Sequence, residues 1–343
     1  MKFLPCNREA VERAVKAIPG REALSGKRIL VTGASGLIGS SVIDLLLEMN
    51  RTWQMNIHIT ASGRREEVIR ERFSYADEQP DFLRFDVLTD ELSYEGDLII
   101  HCAGNCSPRL YREQPVETLM GNLLGLEKVL QAAKTGNVKR VLSLSSSEVY
   151  GNRDSREPYR EEDAYYVDQL NPRSCYPMGK RAAETLCASF MEEYGQEVCI
   201  VRPGHIYGSW IPASDDRAPA QFLKNVLEKK DIVMKSAGDQ LRSYCHSYDC
   251  ASAILTVLLQ GMPGEAYNIS NRDSVVTIRE FAETTARLAG QNVRFENPTD
   301  QERKAFNQMQ NSSLDASKLE ALGWRAMIGL EEGVGMMLEC NRF

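Results

Sequence analysis

Tyr176 and Lys180 stand four residues apart, thirty residues beyond Ser146. Positions four apart share one face of a helix, so the Lys180 ammonium can lie beside the Tyr176 phenol. A nearby cation stabilises phenolate and draws the tyrosine pKa toward working pH. A tyrosine tuned in this way takes a proton from a sugar or alcohol hydroxyl while hydride leaves the same carbon. Pairs of this kind also line solvated helix faces, so the neighbours decide. Upstream lies Ser145-Ser146-Ser147-Glu148-Val149-Tyr150-Gly151, a source of a hydroxyl and a carboxylate.

The second chemical element is the turn Gly33-Ala34-Ser35-Gly36-Leu37-Ile38-Gly39. In such a turn the first glycine permits the bend, the second admits a pyrophosphate, and the third lets helix and strand pack closely. The following helix points its amino end at the phosphates. Gly33, Ser35, Gly36, Leu37, Ile38 and Gly39 are therefore the expected dinucleotide contacts. An NAD-preferring site usually ends its second strand with an acid. Here that place reads Ser62-Gly63-Arg64-Arg65, so Arg64 and Arg65 favour NADP over NAD unless they form a plain exposed basic turn. Asp86 and Val87, after the third strand, are candidates for the adenine end, or a simple strand-end turn.

The elements that must carry these residues follow from hydrophobic patterning. Strands are expected at Lys27–Thr32, Asn56–Ala61, Phe82–Phe85, Asp97–Cys102, Arg140–Ser145 and Val198–Arg202. Helices are expected at Ser40–Met49, Val116–Lys134 and Pro177–Tyr194. Strands alternating with helices mean an α/β fold of Rossmann type, a doubly wound parallel sheet. After Pro203 the pattern loosens. Ala220–Glu228, Asp249–Gln260 and Thr277–Ala289 read as helices, the last with a capping box from Thr277 to Glu280. Ile232–Lys235, Arg242–His246 and Ala266–Ile269 read as strands. The expected organisation is a helical extension over 1–25, a dinucleotide-binding domain over 26–206 with returning segments near 243–272, and a smaller C-terminal α/β substrate-binding lobe over 207–242 and 273–343. In the extension, Ala10, Val11, Ala14, Val15 and Ile18 recur at helical spacing, so the helix should pack on the outside of the domain.

The chain has 343 residues, 43% of them hydrophobic, enough for this core. Its formal charge of -7 and lack of a basic stripe argue against a nucleic-acid partner. No apolar run reaches membrane-spanning length, and Arg8, Glu9, Glu12 and Arg13 break any signal-peptide core. Nine cysteines show no zinc spacing and no Cys-x-x-Cys pair, which points to reduced thiols in a cytoplasmic protein and to no metal.

With these residues assembled, the chain resembles the extended short-chain dehydrogenase/reductase family, the NAD-dependent nucleotide-sugar epimerases and dehydratases. The resemblance runs from about Lys27 to the C-terminus. It is carried by the Gly33 turn, Asp86, His101-Cys102-Ala103-Gly104, Asn122, the serine run through Gly151, and Tyr176 with Lys180. It implies that Tyr176 removes a sugar hydroxyl proton, that Ser146 hydrogen-bonds the oxygen, and that Lys180 binds the nicotinamide ribose and holds the phenolate. Cys102, Ala103, Gly104, Asn122 and Pro203 would complete the cofactor contacts. The reaction implied begins with loss of the C4 hydride to NAD or NADP.

Ser146-Ser147-Glu148 occupies the place of Thr-Asp-Glu in the dehydratases and Thr-Ser-Glu in the UDP-glucuronate decarboxylases. Glu148 is retained as a catalytic candidate. Ser147 in place of the aspartate weighs against a 4,6-dehydratase. Asn171-Pro172-Arg173-Ser174-Cys175-Tyr176, Lys180-Arg181-Ala182-Ala183-Glu184-Thr185, and Ser107-Pro108 with Tyr111 look like the decarboxylase pattern. That resemblance implies oxidation of UDP-glucuronate at C4, loss of carbon dioxide and return of the hydride, giving UDP-xylose. Ser107, Tyr111, Ser147, His205, Arg217 and Arg242 are the substrate-side candidates. Arg242 matches the family's diphosphate-binding arginine, a task suited to a bidentate guanidinium. His205 stands where many relatives carry asparagine, and is either a phosphate donor or a structural histidine. The alternatives are an NADPH-dependent reductase of a nucleotide-activated keto sugar or keto-polyol, a 4-epimerase or 4,6-dehydratase, and, outside enzymes, a silent dinucleotide-sensing module. By family analogy the chain forms a homodimer through its helices over 116–134 and 177–194.

Overall fold

Arg28–Thr32 form the first strand, β1, and its last four residues are buried, as a strand covered on both faces must be. The computed structural model describes residues 4–212, 214–299 and 309–341; parts of the lobe expected over 207–242 and 273–343 lie outside them. The further strands are β2 His58–Gly63, β3 Asp81–Arg84, β4 Leu98–His101, β5 Arg140–Leu144, β6 Glu197–Pro203, β7 His205–Tyr207, β8 Ile232–Met234, β9 Leu241–His246, β10 Ala266–Ile269, β11 Val275–Thr277, β12 Val293–Phe295 and β13 Asn311–Ser312. Seven of them pair in the order β3-β2-β1-β4-β5-β6-β10, and every pairing is parallel. The order reverses between β1 and β4, the switch point where such sheets bind ligands.

The helices of more than four residues are α1 Pro5–Lys16, α2 Leu37–Trp53, α3 Glu66–Arg72, α4 Pro108–Glu113, α5 Pro115–Thr135, α6 Cys175–Tyr194, α7 Ala218–Leu227, α8 Ser247–Gln260, α9 Ile278–Ala289 and α10 Leu330–Asn341. One face of the sheet is covered by α2 and α8, the other by α5 and α6. The α1 stripe Ala10, Val11, Ala14, Val15 and Ile18 is buried on α2 and α8, so α1 adds a further layer outside the expected one. Arg13 of α1 also pairs with Glu332 of α10.

A second core joins α7, α9 and α10 to β7, β8 and β9. Around β9 lie β11 (antiparallel), β13 and β7 (both parallel), and β8 pairs with β12. These strands have only two to six residues, too few for a reliable period. Several were not expected from the sequence, nor was α4. Helix α2 begins at Leu37 rather than Ser40 and runs on to Trp53. Among the described residues no helix is long and apolar enough to cross a membrane.

The expected capping box is present. The Glu280 N–H donates to Thr277 Oγ1 at 3.1 Å, and the Thr277 N–H donates to Glu280 Oε2 at 2.6 Å. Thr277→Ala removes that acceptor and should lower stability by about 1 kcal/mol, read from the midpoint of urea unfolding at unchanged slope.

Candidate active site

The glycine turn sits at the switch point because backbone leaves no room for side chains. Gly33 has φ +67°, and a Cβ there would lie 2.7 Å from the Ala103 nitrogen and 2.8 Å from the Cys102 carbonyl. A Cβ on Gly39 would lie 2.5 Å from the Gly33 oxygen. Gly36 is the N-cap of α2 and brings no capping side chain. The first N–H groups of α2, from Leu37 through Gly39, therefore face outward with the positive end of the helix dipole, beside Ser35. That cradle fits a pyrophosphate.

The neighbouring strand ends complete the cofactor side. Thr32 pairs in register with Ser62 of β2 and His101 of β4. Arg64 and Arg65 follow β2, both exposed and without an ion pair among the described residues. Asp86 accepts the Leu88 N–H at 3.0 Å and packs its neighbour Val87 against Gly121 and Gly125 of α5. Cys102 donates its N–H to the Thr32 carbonyl, and the Ala103 N–H reaches Thr32 Oγ1. Gly104 lies against Asn122, whose Oδ1 is buried without a hydrogen-bond partner. Lys180 Nζ lies on the same side of Gly104, and Pro203 closes β6. An orphaned acceptor beside a buried ammonium suits ribose hydroxyls, so these residues fit a nicotinamide dinucleotide.

The proton-transfer group is compact. Tyr176 and Lys180 share α6, and Ser146 caps the turn after β5. Ser146 lies near the Tyr176 phenol and favours its ionised form, and its Oγ accepts the Glu148 N–H at 3.2 Å. Lys180 Nζ lies 6.0 Å from the Tyr176 ring centre and donates to the Leu144 carbonyl at 2.7 Å. Burial pushes the Tyr176 phenol up, with Ser146 and Arg217 pulling the other way. Burial also pulls the Lys180 ammonium down to about 8.

On the substrate side, Tyr111 of α4 stacks on Tyr176 with ring centres 4.8 Å apart. Glu148 forms a two-pronged ion pair with Arg173, both contacts 3.0 Å, and the Arg173 guanidinium lies 4.8 Å from the centre of the Tyr111 ring. Sequence reasoning did not name Arg173 as a site residue, although its place three residues before Tyr176 was a usable signal. Ser147 is buried beside Glu148. Cys175 packs behind Tyr111, its Sγ 3.8 Å from the Tyr111 carbonyl, as a small packing residue would.

Three more candidates come from the second lobe. His205 of β7 stands opposite Tyr244 of β9, and Arg242 lies two residues before Tyr244 on the same strand face. His205 Nδ1 is buried without a partner, and burial beside Arg242 and Arg217 holds this imidazole neutral. Arg242 is 2% exposed and bonds only to the Leu241 carbonyl, with no carboxylate pair among the described residues. Arg217, in contrast, is tied to Asp215 and to the Ile206 carbonyl. Ser107 is also occupied: its hydroxyl donates to Asp216 Oδ2 at 2.8 Å.

Comparison with known proteins agrees with this geometry. The NAD dependent epimerase/dehydratase family matches residues 29–270. UDP-glucuronic acid decarboxylase 6 of Arabidopsis thaliana is 33% identical over 323 residues, 92% of this chain and 89% of that protein. UDP-glucuronic acid decarboxylase 1 of Danio rerio is 29% identical over 91% of this chain and 72% of that protein. Among solved structures, dTDP-glucose 4,6-dehydratase of Streptomyces venezuelae with NAD bound superposes with a TM-score of 0.78 at 25% identity, covering 92% of this chain and 97% of that one. UDP-glucose 4-epimerase of Thermotoga maritima gives 0.78 at 21% identity over 92% and 98%, a likeness of fold. The matched span holds the glycine turn, the serine run, and Tyr176 with Lys180, and the chain belongs to the NAD-dependent epimerase/dehydratase family.

Proposed function

We propose that the protein oxidises a nucleotide sugar at C4 and acts as a UDP-glucuronate decarboxylase-like enzyme. The observation that carries the reading is Arg242. A buried guanidinium without a carboxylate partner among the described residues calls for an anion, and a substrate diphosphate supplies one. His205, with an unpartnered ring nitrogen on the same face, adds a second polar contact. The decarboxylase relatives, and the Ser146-Ser147-Glu148 and Asn171–Tyr176 patterns, support glucuronate as the sugar.

In this mechanism Tyr176, as the phenolate stabilised by the Lys180 ammonium on the same helix face, takes the proton of the C4 hydroxyl while Ser146 donates to the same oxygen. A bound nicotinamide supplies the acceptor, and later the donor, of the C4 hydride. Oxidation leaves a ketone β to the sugar carboxylate, and that ketone is the electron sink for loss of carbon dioxide. Lys180 holds the ribose side, with Asn122 Oδ1 as the neighbouring acceptor. Arg173 neutralises Glu148, so the carboxylate sits beside an acidic sugar without a bare second charge. Tyr111 keeps water from one face of the Tyr176 ring.

A second reading keeps the same site but consumes its cofactor, as an NADPH-dependent reductase of a keto sugar. The exposed Arg64 and Arg65, with no acid at the end of β2, favour a 2′-phosphate and hence NADP. A cytoplasmic homodimer packed through α5 and α6 goes with either reading. Val116 and Tyr194 on that pair are 67% and 40% exposed, and sedimentation equilibrium of the purified protein at twice the chain mass is the expected result.

The deciding experiment is mass spectrometry of nucleotide sugars incubated with the protein, NAD and NADP supplied separately. UDP-glucuronate should lose carbon dioxide without net cofactor consumption. Gain of two hydrogens on a keto substrate with NADPH consumed would establish the reductase instead. Tyr176→Phe should lower turnover by about 10²–10⁴-fold with cofactor binding retained; full activity in that variant would remove Tyr176 from the chemistry.

Lys180 makes a separate prediction. Its folded pKa, about 8, lies below the ordinary lysine value of 10.5, so the buried charge weakens the fold most below pH 8. Lys180→Met should abolish turnover yet raise stability at pH 7 by about 1–3 kcal/mol. That gain should shrink as pH rises from about 8 to 10.5, where the wild-type lysine sheds its proton in both states. Urea unfolding at a series of pH values measures it.

A further inference from the structure

Asp216 belongs to the loop between β7 and α7, yet its carboxylate bonds to the start of α4, on the other lobe. The Ser107 hydroxyl donates to Asp216 Oδ2 at 2.8 Å, and the Arg109 backbone N–H donates to the same oxygen at 3.1 Å. The other oxygen, Oδ1, is buried without a hydrogen-bond partner. Half-satisfying a carboxylate in this way is costly, so what the two bonds hold becomes the question.

They hold the first turn of α4. That helix has six residues, too few to persist without tertiary support. Ser107 is its N-cap, accepting the Leu110 N–H at 3.3 Å while donating to Asp216. The ion pair Arg109–Glu113 is internal to the helix and exposed, so it anchors α4 to nothing. Tyr111 rides on this helix, is 3% exposed, and lies on the Tyr176 ring with the two planes 16° apart.

We infer that Asp216 is a positioning residue for Tyr176. Reaching across from the second lobe, it clamps α4 so that the Tyr111 ring stays pressed on the Tyr176 ring, keeping that phenol dry and aimed at Ser146. The inference rests on the proposed role of Tyr176. What the clamp needs is an acceptor oxygen for two neutral donors, not a negative charge.

Two substitutions separate these requirements. Asp216→Asn keeps an acceptor oxygen and should stay within about threefold of wild type in kcat. Asp216→Ala removes it and should lower kcat about 10–100-fold, with a smaller change in KM for the sugar, as a misplaced reacting group does. Cys106, beside Ser107, gives a readout that needs no turnover. Alkylation of Cys106 by iodoacetamide, followed by peptide mass spectrometry, should be quicker in the Ala variant than in the Asn variant, since both lose the Asp216 charge that raises this thiol and only Ala loses the clamp. Asn as impaired as Ala would mean that charge alone matters, and the inference falls. Ala indistinguishable from wild type in kcat and from Asn in labelling overturns it as well. Should no nucleotide sugar be turned over by the wild type, the proposed function fails by itself, and Cys106 labelling still decides the clamp.

Discussion

One hydrogen bond sets the register of the whole site: the Lys180 ammonium on the Leu144 carbonyl, 2.7 Å away. Leu144 is the last residue of β5, and Ser145 and Ser146 follow it directly. Tyr176 lies one helical turn before Lys180 on α6. Fixing Lys180 to the end of β5 therefore fixes Tyr176 against Ser146. The packing of α6 on α5 and the parallel pairing of β5 with β4 and β6 hold both ends of that bond. The cofactor cradle is placed by the same sheet, since β4 joins β5 to β1 and the Gly33 turn rests on Cys102 and Ala103.

The cost of this arrangement is electrostatic. Lys180 and Tyr176 are both nearly enclosed, and burial moves each toward its neutral form. The same desolvation strengthens any charge-assisted contact that a ligand makes there. Around them the guanidiniums are treated unequally. Arg173 has Glu148, Arg217 has Asp215, and Arg242 has only a backbone carbonyl. In a chain of formal charge -7, a site with a buried arginine unbalanced among the described residues has a local preference opposite to that of the whole surface.

Much of the cofactor half was legible because its signals are local. Buried strands such as Arg28–Thr32 read as apolar runs, and the Gly33 spacing names its own turn. The Thr277–Glu280 cap was legible for the same reason. The second lobe was less so. Strands β7, β11 and β13 have two or three residues each and exist because β9 lies beside them, a long-range fact with no periodic trace. Helix α4 was missed because part of its capping comes from Asp216, more than a hundred residues away.

The pairing of Tyr176 with Lys180 shows the limit of spacing arguments most directly. Four residues on a helix do place the two side chains on one face, as expected. Spacing says nothing of what else competes for the ammonium. Here the Leu144 carbonyl takes one of its three N–H groups, and Tyr111 stacks on the phenol ring. A cation held by backbone is a better scaffold than a mobile counter-ion, because it cannot swing away when charge moves on the substrate. The lysine is first a structural tie between α6 and the end of β5. That role explains why a buried ammonium, destabilising by itself, is retained at the centre of the site.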